Sequence, residues 1–145
     1  MIKLGRNRWV AAIATATLFS HCLIAIAHGG PVAVPDVSAY LSVPQCLAGG
    51  ILPEPLHFFP GYGLLLLPFG WMGGSALHTA ALIVNGGLAA CCVIAAAQLA
   101  KKSNGANWLP ICCAAIAALH PSLSTSSRIA WPETLLTLAV LGAAL

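Results

Sequence analysis

The sequence predicts an all-α protein made of membrane-spanning helices, because it is strongly apolar, carries little charge and contains long hydrophobic runs. Of its 145 residues, 59% are hydrophobic and 6% are charged, and the mean hydropathy is +0.92. An ordinary soluble domain carries roughly 25% charged residues, so this chain has too few polar side chains to cover a folded surface in water. A disordered tail is also excluded, since disorder requires low hydrophobicity.

Four apolar segments account for most of the chain. A transmembrane helix needs about 20 predominantly apolar residues, and the first two segments meet that length. The third is marginal because His120 and Pro121 close it early, and the fourth is still apolar at Leu145. We therefore expect a single, apparently truncated membrane domain with three to four spans. Its parts are spans at 9–27, 75–100 and 108–120, an external loop at 28–74, and the start of a span at 129–145.

The placement of charge predicts the orientation of these spans. Basic residues lie before the first span and after the second, and spans that cross in alternating directions put these two ends on the same side of the membrane. The residues are Lys3, Arg6, Arg8, Lys101 and Lys102. Because cytoplasmic segments are enriched in Lys and Arg, we expect a cytoplasmic N-terminus. The N-terminal stretch also fits a secretory signal, since Ala25-Ile26-Ala27 resembles a cleavage site. Its apolar run is longer than a typical signal core, which favours a retained anchor.

The external loop at 28–74 holds seven prolines and no Lys or Arg. Its run of four leucines, 64–67, is too short to cross a bilayer, so we expect short interfacial helices here. Tyr62, Phe69 and Trp71 suit the depth of lipid headgroups. Four histidines near predicted span ends are expected to reach the headgroups as well: His21, His28, His78 and His120.

No clear metal or nucleic-acid site is present. The basic residues form no stripe with interleaved aromatics, so we expect no nucleic-acid partner. Cysteines occur as adjacent pairs, 91–92 and 112–113, without the spacing of zinc sites, and we interpret them as packing residues. Glu54 and His57 could contribute to a divalent metal site, but a solvated loop pair is favoured. We expect no cofactor, with a divalent metal left open.

Asp36 is one of only three acidic residues, and it has two interpretations. As a helix N-cap, it would bind free backbone N–H groups and complement the helix dipole. As a carboxylate at the membrane face, it would act as a general base, with partial desolvation raising its pKa. Spacing alone favours the cap.

The order of residues in the loop is similar to that of a known enzyme family. Asp36, Tyr40, the turn at 47–50 and the run at 59–65 resemble the first external loop of GT-C glycosyltransferases. That superfamily includes protein mannosyltransferases and bacterial enzymes that use polyprenyl-phosphate sugars. Downstream, Asn85, the basic pair at 101–102 and the stretches 119–121 and 127–136 resemble the family's third and fourth spans and their connecting loop. The chain departs from the family at Val37, where a second carboxylate is common, and at Gly63, where proline is common.

The resemblance implies a polytopic enzyme of the bacterial inner membrane, of which this chain is the N-terminal portion and inactive alone. A sugar would pass, with inversion, from a polyprenyl-phosphate donor to an acceptor hydroxyl at the external face. Asp36 would deprotonate the acceptor, and Tyr40, Tyr62, Arg128 and Glu133 would bind substrate. The expected partners are the lipid-linked donor, membrane lipids and a chain that supplies missing spans.

Arg128 keeps two interpretations of equal weight. A guanidinium matches phosphate geometry, so Arg128 could hold the leaving phosphate. It could instead contact Glu133 locally, or extend its charged head towards the membrane surface from a helix start.

A different class competes with the enzyme: a small polytopic membrane protein without catalytic activity, such as an assembly subunit or a transporter fragment. Transport of a charged substrate ordinarily requires ionisable groups within the spans, and the predicted spans at 9–27, 75–100 and 108–120 contain no Asp, Glu, Lys or Arg. An assembly subunit predicts that Asp36 can be replaced by Asn without consequence.

Overall fold

The computed structural model describes residues 2–27, 35–51, 60–103, 105–126, 128–130 and 132–145. Within these ranges the chain forms helices and no β-strand, which confirms the predicted all-α class. The helices are α1 (Ile2–Ala27), α2 (Pro35–Ala48), α3 (Pro60–Leu65), a 3-10 helix (Leu67–Phe69), α4 (Gly74–Lys102), α5 (Leu109–Ala118), α6 (Pro121–Ser126) and α7 (Glu133–Ala144). Glu54, His57 and His28 lie outside the described residues, as does the side chain of Asp36.

Two of these helices are long and apolar enough to cross a bilayer: Asn7–Ala27 within α1, and α4. They correspond to the predicted spans at 9–27 and 75–100. Neither contains a proline, so no residue interrupts the i to i−4 hydrogen bonds of the backbone. Lys101 and Lys102 lie in the last turn of α4, where positive charge complements the helix dipole.

Helices α1 and α4 pack against each other in antiparallel register. At one end, the Nζ of Lys101 donates a hydrogen bond to the Oδ1 of Asn7 at 3.0 Å. At the other end, Ala25 packs in one cluster with the N-terminal part of α4. Between them the backbones approach closely, since a Cβ added to Gly86 would lie 2.8 Å from the Cβ of His21. Small residues allow this kind of close packing between apolar helices.

Helices α5, α6 and α7 are shorter and pack on α4. The predicted span at 108–120 corresponds to α5, which ends at Ala118 before the separate helix α6 begins at Pro121, because the helical conformation is disfavoured for a residue that precedes a proline. The segment predicted to start a span at 129 becomes helical at Glu133. At about 1.5 Å per residue, α5 and α7 are each about 15–18 Å long, against a hydrocarbon core of about 30 Å.

The predicted external loop contains α2, α3 and the 3-10 helix, which pack on one another; we call this unit the cap. Gly70 approaches α2 so closely that an added Cβ would overlap the carbonyl group of Pro44. Leu66 faces inward, whereas the neighbouring Leu65 and Leu67 are exposed. Trp71 is 77% exposed, whereas the side chain of Tyr62 is buried in the protein. The predicted headgroup depth of both residues stays a prediction.

Two of the histidines expected at the surface are buried instead. The Nε2 of His21 lies 2.8 Å from the carbonyl oxygen of Leu123, and its Nδ1 lies 2.9 Å from that of Thr17. His78 is also buried, and its Nε2 has no hydrogen-bond partner among the described residues. The contact between His21 and Leu123 joins α1 to α6, so this histidine contributes to helix packing.

Candidate functional site

Two of the predicted site residues, Tyr40 and Tyr62, meet at one apolar cluster where the cap packs against the long helices. The cluster, which we call the Tyr62 cluster, consists of Ala25, Val37, Tyr62, Leu66, Ala81, Leu82 and Ala130. It draws residues from α1, α2, α3, α4 and the segment between α6 and α7. Because segments distant in sequence meet here, side chains that flank the cluster are brought to one region of the protein.

Tyr62 and Asn85 form the polar centre of this region. Tyr62 is 1% exposed and Asn85 is fully buried. The hydroxyl of Tyr62 donates to the Oδ1 of Asn85 at 3.0 Å, and the Nδ2 of Asn85 donates to the carbonyl oxygen of Ile129 at 3.3 Å. One amide side chain therefore links the cap, α4 and the segment that precedes α7.

Burial raises the pKa of the Tyr62 hydroxyl well above its usual range; the hydrogen bond with Asn85 lowers it in part, and the negative charge of Glu133 adds to the increase. A neutral phenol remains a hydrogen-bond donor across the physiological pH range. The structure thus makes Tyr62 a buried hydrogen-bond donor to Asn85.

The second predicted tyrosine also lies here. The rings of Tyr40 and Tyr62 meet edge to face, with centroids 6.1 Å apart and an interplanar angle of 89°, a favourable arrangement for aromatic pairs. Asp36 belongs to the first turn of α2 and directly precedes Val37 of the Tyr62 cluster. The backbone therefore places Asp36 at the edge of the cluster, on the helix that also carries Tyr40.

Arg128 and Glu133 lie on either side of Ala130, the cluster residue between α6 and α7. Both side chains are exposed. The backbone N–H of Arg128 donates to the carbonyl oxygen of Thr125 at 3.0 Å, which closes the turn after α6. Glu133 occupies the first turn of α7, where a carboxylate complements the helix dipole. The structure shows no ion pair between these two residues, so the local contact considered for Arg128 is not formed.

A mostly apolar cavity of about 450 Å³ opens between α3 and α7. Tyr62 and Glu133 are the residues with polar side chains in its lining. The other lining residues are Gly61, Pro132, Leu135, Leu136 and Ala139. A concave apolar pocket with a few polar groups is the usual form of a small-molecule or lipid-chain site.

The described residues contain no group of three or more His, Cys, Asp or Glu side chains that could hold a metal ion. The six cysteines are free thiols. The Glu54 and His57 pair falls outside the described part of the chain, and its role stays a prediction.

Sequence reasoning predicted Tyr40, Tyr62 and Glu133 as site residues, but it did not identify the contacts of Asn85. The available signal was an amide in the middle of a long apolar helix, because a polar side chain at such a position usually binds a partner. In comparisons with known proteins, no family model, curated protein or solved structure matches this chain.

Proposed function

We propose that the chain is a membrane glycosyltransferase-like protein that transfers a sugar from a polyprenyl-phosphate donor to an acceptor hydroxyl at the external membrane face. In this proposal α1 and α4 cross the inner membrane, α5 to α7 supply one or two further spans, and the N-terminus is cytoplasmic. The observation that carries the proposal is the arrangement around the Tyr62 cluster, where Tyr62 of α3 and Glu133 of α7 line an apolar cavity and Tyr40 of α2 packs against Tyr62.

The depth of the site fits a donor that is anchored in the bilayer. About 26 Å of helix separates Asn85 from Lys102 at 1.5 Å per residue, and the hydrocarbon core is about 30 Å thick. When Lys102 is placed at one boundary of the hydrocarbon core, the Tyr62–Asn85 pair lies just inside the opposite boundary. A phosphate headgroup at that boundary would be within reach of an arginine, and its prenyl chain would lie along an apolar surface.

The cavity between α3 and α7 supplies such a surface. Its leucine and alanine lining suits a prenyl chain, while the oxygens of Tyr62 and Glu133 suit the sugar hydroxyls as hydrogen-bond acceptors, since the one proton of the Tyr62 phenol is donated to Asn85. Arg128, exposed and without an ion-pair partner in the described chain, is the residue we assign to the phosphate.

The chemical step that we propose is a direct displacement. The acceptor oxygen forms a bond with the anomeric carbon, and the bond from that carbon to the phosphate oxygen breaks. Asp36 takes the proton of the acceptor hydroxyl, and the polyprenyl phosphate leaves with the bonding electron pair. One displacement inverts the anomeric configuration.

Donor binding tests this proposal with the chain in zwitterionic nanodiscs. We expect a polyprenyl phosphate to raise the unfolding temperature more than the uncharged polyprenol does, and Arg128→Gln to remove that difference. Ala139→Trp, which fills the cavity, should abolish the effect of both lipids. Val140→Trp is the matched control, because Val140 is exposed and does not line the cavity.

Transfer itself is tested with a labelled polyprenyl-phosphate sugar in membranes that contain the protein with any further spans that accompany it. We expect Asp36→Asn to abolish turnover while donor binding and expression persist. If Asp36→Asn retains turnover, Asp36 is not the base. If no lipid binds and Asp36→Asn has no consequence, the non-catalytic assembly subunit is the better description.

A further inference from the structure

The structure brings most of the basic residues of the chain to one end of the α1–α4 pair. The hydrogen bond from Lys101 to Asn7, at 3.0 Å, joins helix ends that are 94 residues apart in sequence. Arg8, next to Asn7, and Lys102, next to Lys101, are both exposed. Two further basic residues, Lys3 and Arg6, belong to the first turns of α1. Five of the six Lys and Arg residues are therefore placed at this end, which we call the basic end.

No acidic residue of the described chain lies at the basic end. The whole sequence contains three acidic residues, Asp36, Glu54 and Glu133. Asp36 lies in the cap and Glu133 lies beside the Tyr62 cluster, both near the opposite end of α4. Exposed positive charges without neighbouring carboxylates produce a positive potential that attracts anions.

Two exposed tryptophans indicate where such an anion would lie. Trp9, which follows Arg8, is 64% exposed, and Trp108, which closes the connection from α4 to α5, is 61% exposed. Tryptophan is enriched at the headgroup level of bilayers, where its ring is half in apolar and half in polar surroundings. A basic surface beside tryptophans fits an anion that is part of the bilayer surface.

We propose that the basic end is a binding surface for anionic phospholipid headgroups, formed jointly by the ends of α1 and α4. Asn7 holds the ammonium group of Lys101, and Arg8 and Lys102 supply further charge. Basic residues beside membrane helices attract anionic lipids in this way. The proposal does not depend on sugar transfer, because it concerns the end of the molecule away from the Tyr62 cluster.

The test uses the whole chain in phosphatidylcholine nanodiscs that contain a small fraction of dansyl-labelled phosphatidylglycerol or dansyl-labelled phosphatidylcholine. Energy transfer from a single tryptophan to the dansyl group measures local lipid enrichment. One protein retains Trp108 only and the other retains Trp71 only. We expect phosphatidylglycerol to be enriched over phosphatidylcholine around Trp108 but not around Trp71, which lies at the opposite end of α4.

Substitutions then identify the groups responsible. Lys101→Gln combined with Lys102→Gln should lower the enrichment around Trp108 by about fivefold for each charge removed, and Lys101→Arg with Lys102→Arg should preserve it. Raising the salt concentration from about 0.1 M to 1 M should have the same effect as the glutamine pair, since the Debye length falls from about 10 Å to 3 Å. Equal enrichment around both tryptophans, or enrichment that the glutamine pair leaves unchanged, would overturn the proposal.

Discussion

The hydroxyl of Tyr62 donates a hydrogen bond to the Oδ1 of Asn85 at 3.0 Å, and this bond connects the cap to the longest helix of the protein. The amide of Asn85 also donates to the carbonyl oxygen of Ile129. Asn85 therefore holds both Tyr62 and the segment that carries Arg128. The geometry of the candidate site therefore depends on a residue that contributes nothing to the lining of the cavity.

We predict that Asn85→Ala destabilises the protein by about 1–3 kcal/mol, because it removes the hydrogen bonds that Asn85 makes with the Tyr62 hydroxyl and the Ile129 carbonyl oxygen. Tyr62→Phe should cost about 1 kcal/mol, because it removes a hydroxyl that donates to the Oδ1 of Asn85 and, at 3.4 Å, to the carbonyl oxygen of Ala81. A double-mutant cycle on unfolding in mixed micelles should give a coupling energy of about 0.6–1.7 kcal/mol, the range found between membrane helices. Thr79→Ala is the control, because Thr79 bonds only the carbonyl of its own helix. A coupling energy near zero would contradict the bond.

Adjacent glycines of α4 should respond in opposite directions to the same substitution. A Cβ on Gly86 would lie 2.8 Å from the Cβ of His21, whereas a Cβ on Gly87 would meet nothing within 4 Å. We expect Gly86→Ala to destabilise by about 1–3 kcal/mol through overpacking, and Gly87→Ala to stabilise by up to about 1 kcal/mol through helix propensity. Unfolding in mixed micelles measures both. Similar effects at the two positions would show that α1 and α4 do not pack in this register.

The sequence was sufficient for the long helices but not for the contacts between them. The limits of α4 follow from an apolar run that ends at Lys101 and Lys102, and those of α1 from a similar run. The burial of His21 could not be predicted, because its partner Leu123 is 102 residues away and its position depends on the packing register. The contact between Tyr62 and Asn85 could not be predicted for the same reason, because it depends on how the cap packs on α4.

The titration of Tyr62 is a direct measure of its burial. A tyrosine has an ordinary pKa of about 10, and the pKa of Tyr62 is raised above this by burial. The unfolded chain therefore loses its proton first as the pH rises, so the stability of the fold should decrease above about pH 10. In Tyr40→Phe, where Tyr62 is the remaining tyrosine, the tyrosinate absorbance should appear only well above pH 10. Appearance at about pH 10 would mean that Tyr62 is accessible to solvent.

Cysteine labelling tests the proposed orientation, on which an external site depends. In a cysteine-free background we expect Glu54→Cys, in the segment between α2 and α3, to react with a membrane-impermeant maleimide in intact cells. Ala106→Cys lies in the exposed connection after α4 and should react only once the membrane is permeabilised, because about 43 Å of α4 at 1.5 Å per residue separates the two sides. The reverse pattern would place the Tyr62 cluster in the cytoplasm, where the proposed external donor does not reach it. Labelling of both positions in intact cells would show that α4 does not cross the membrane.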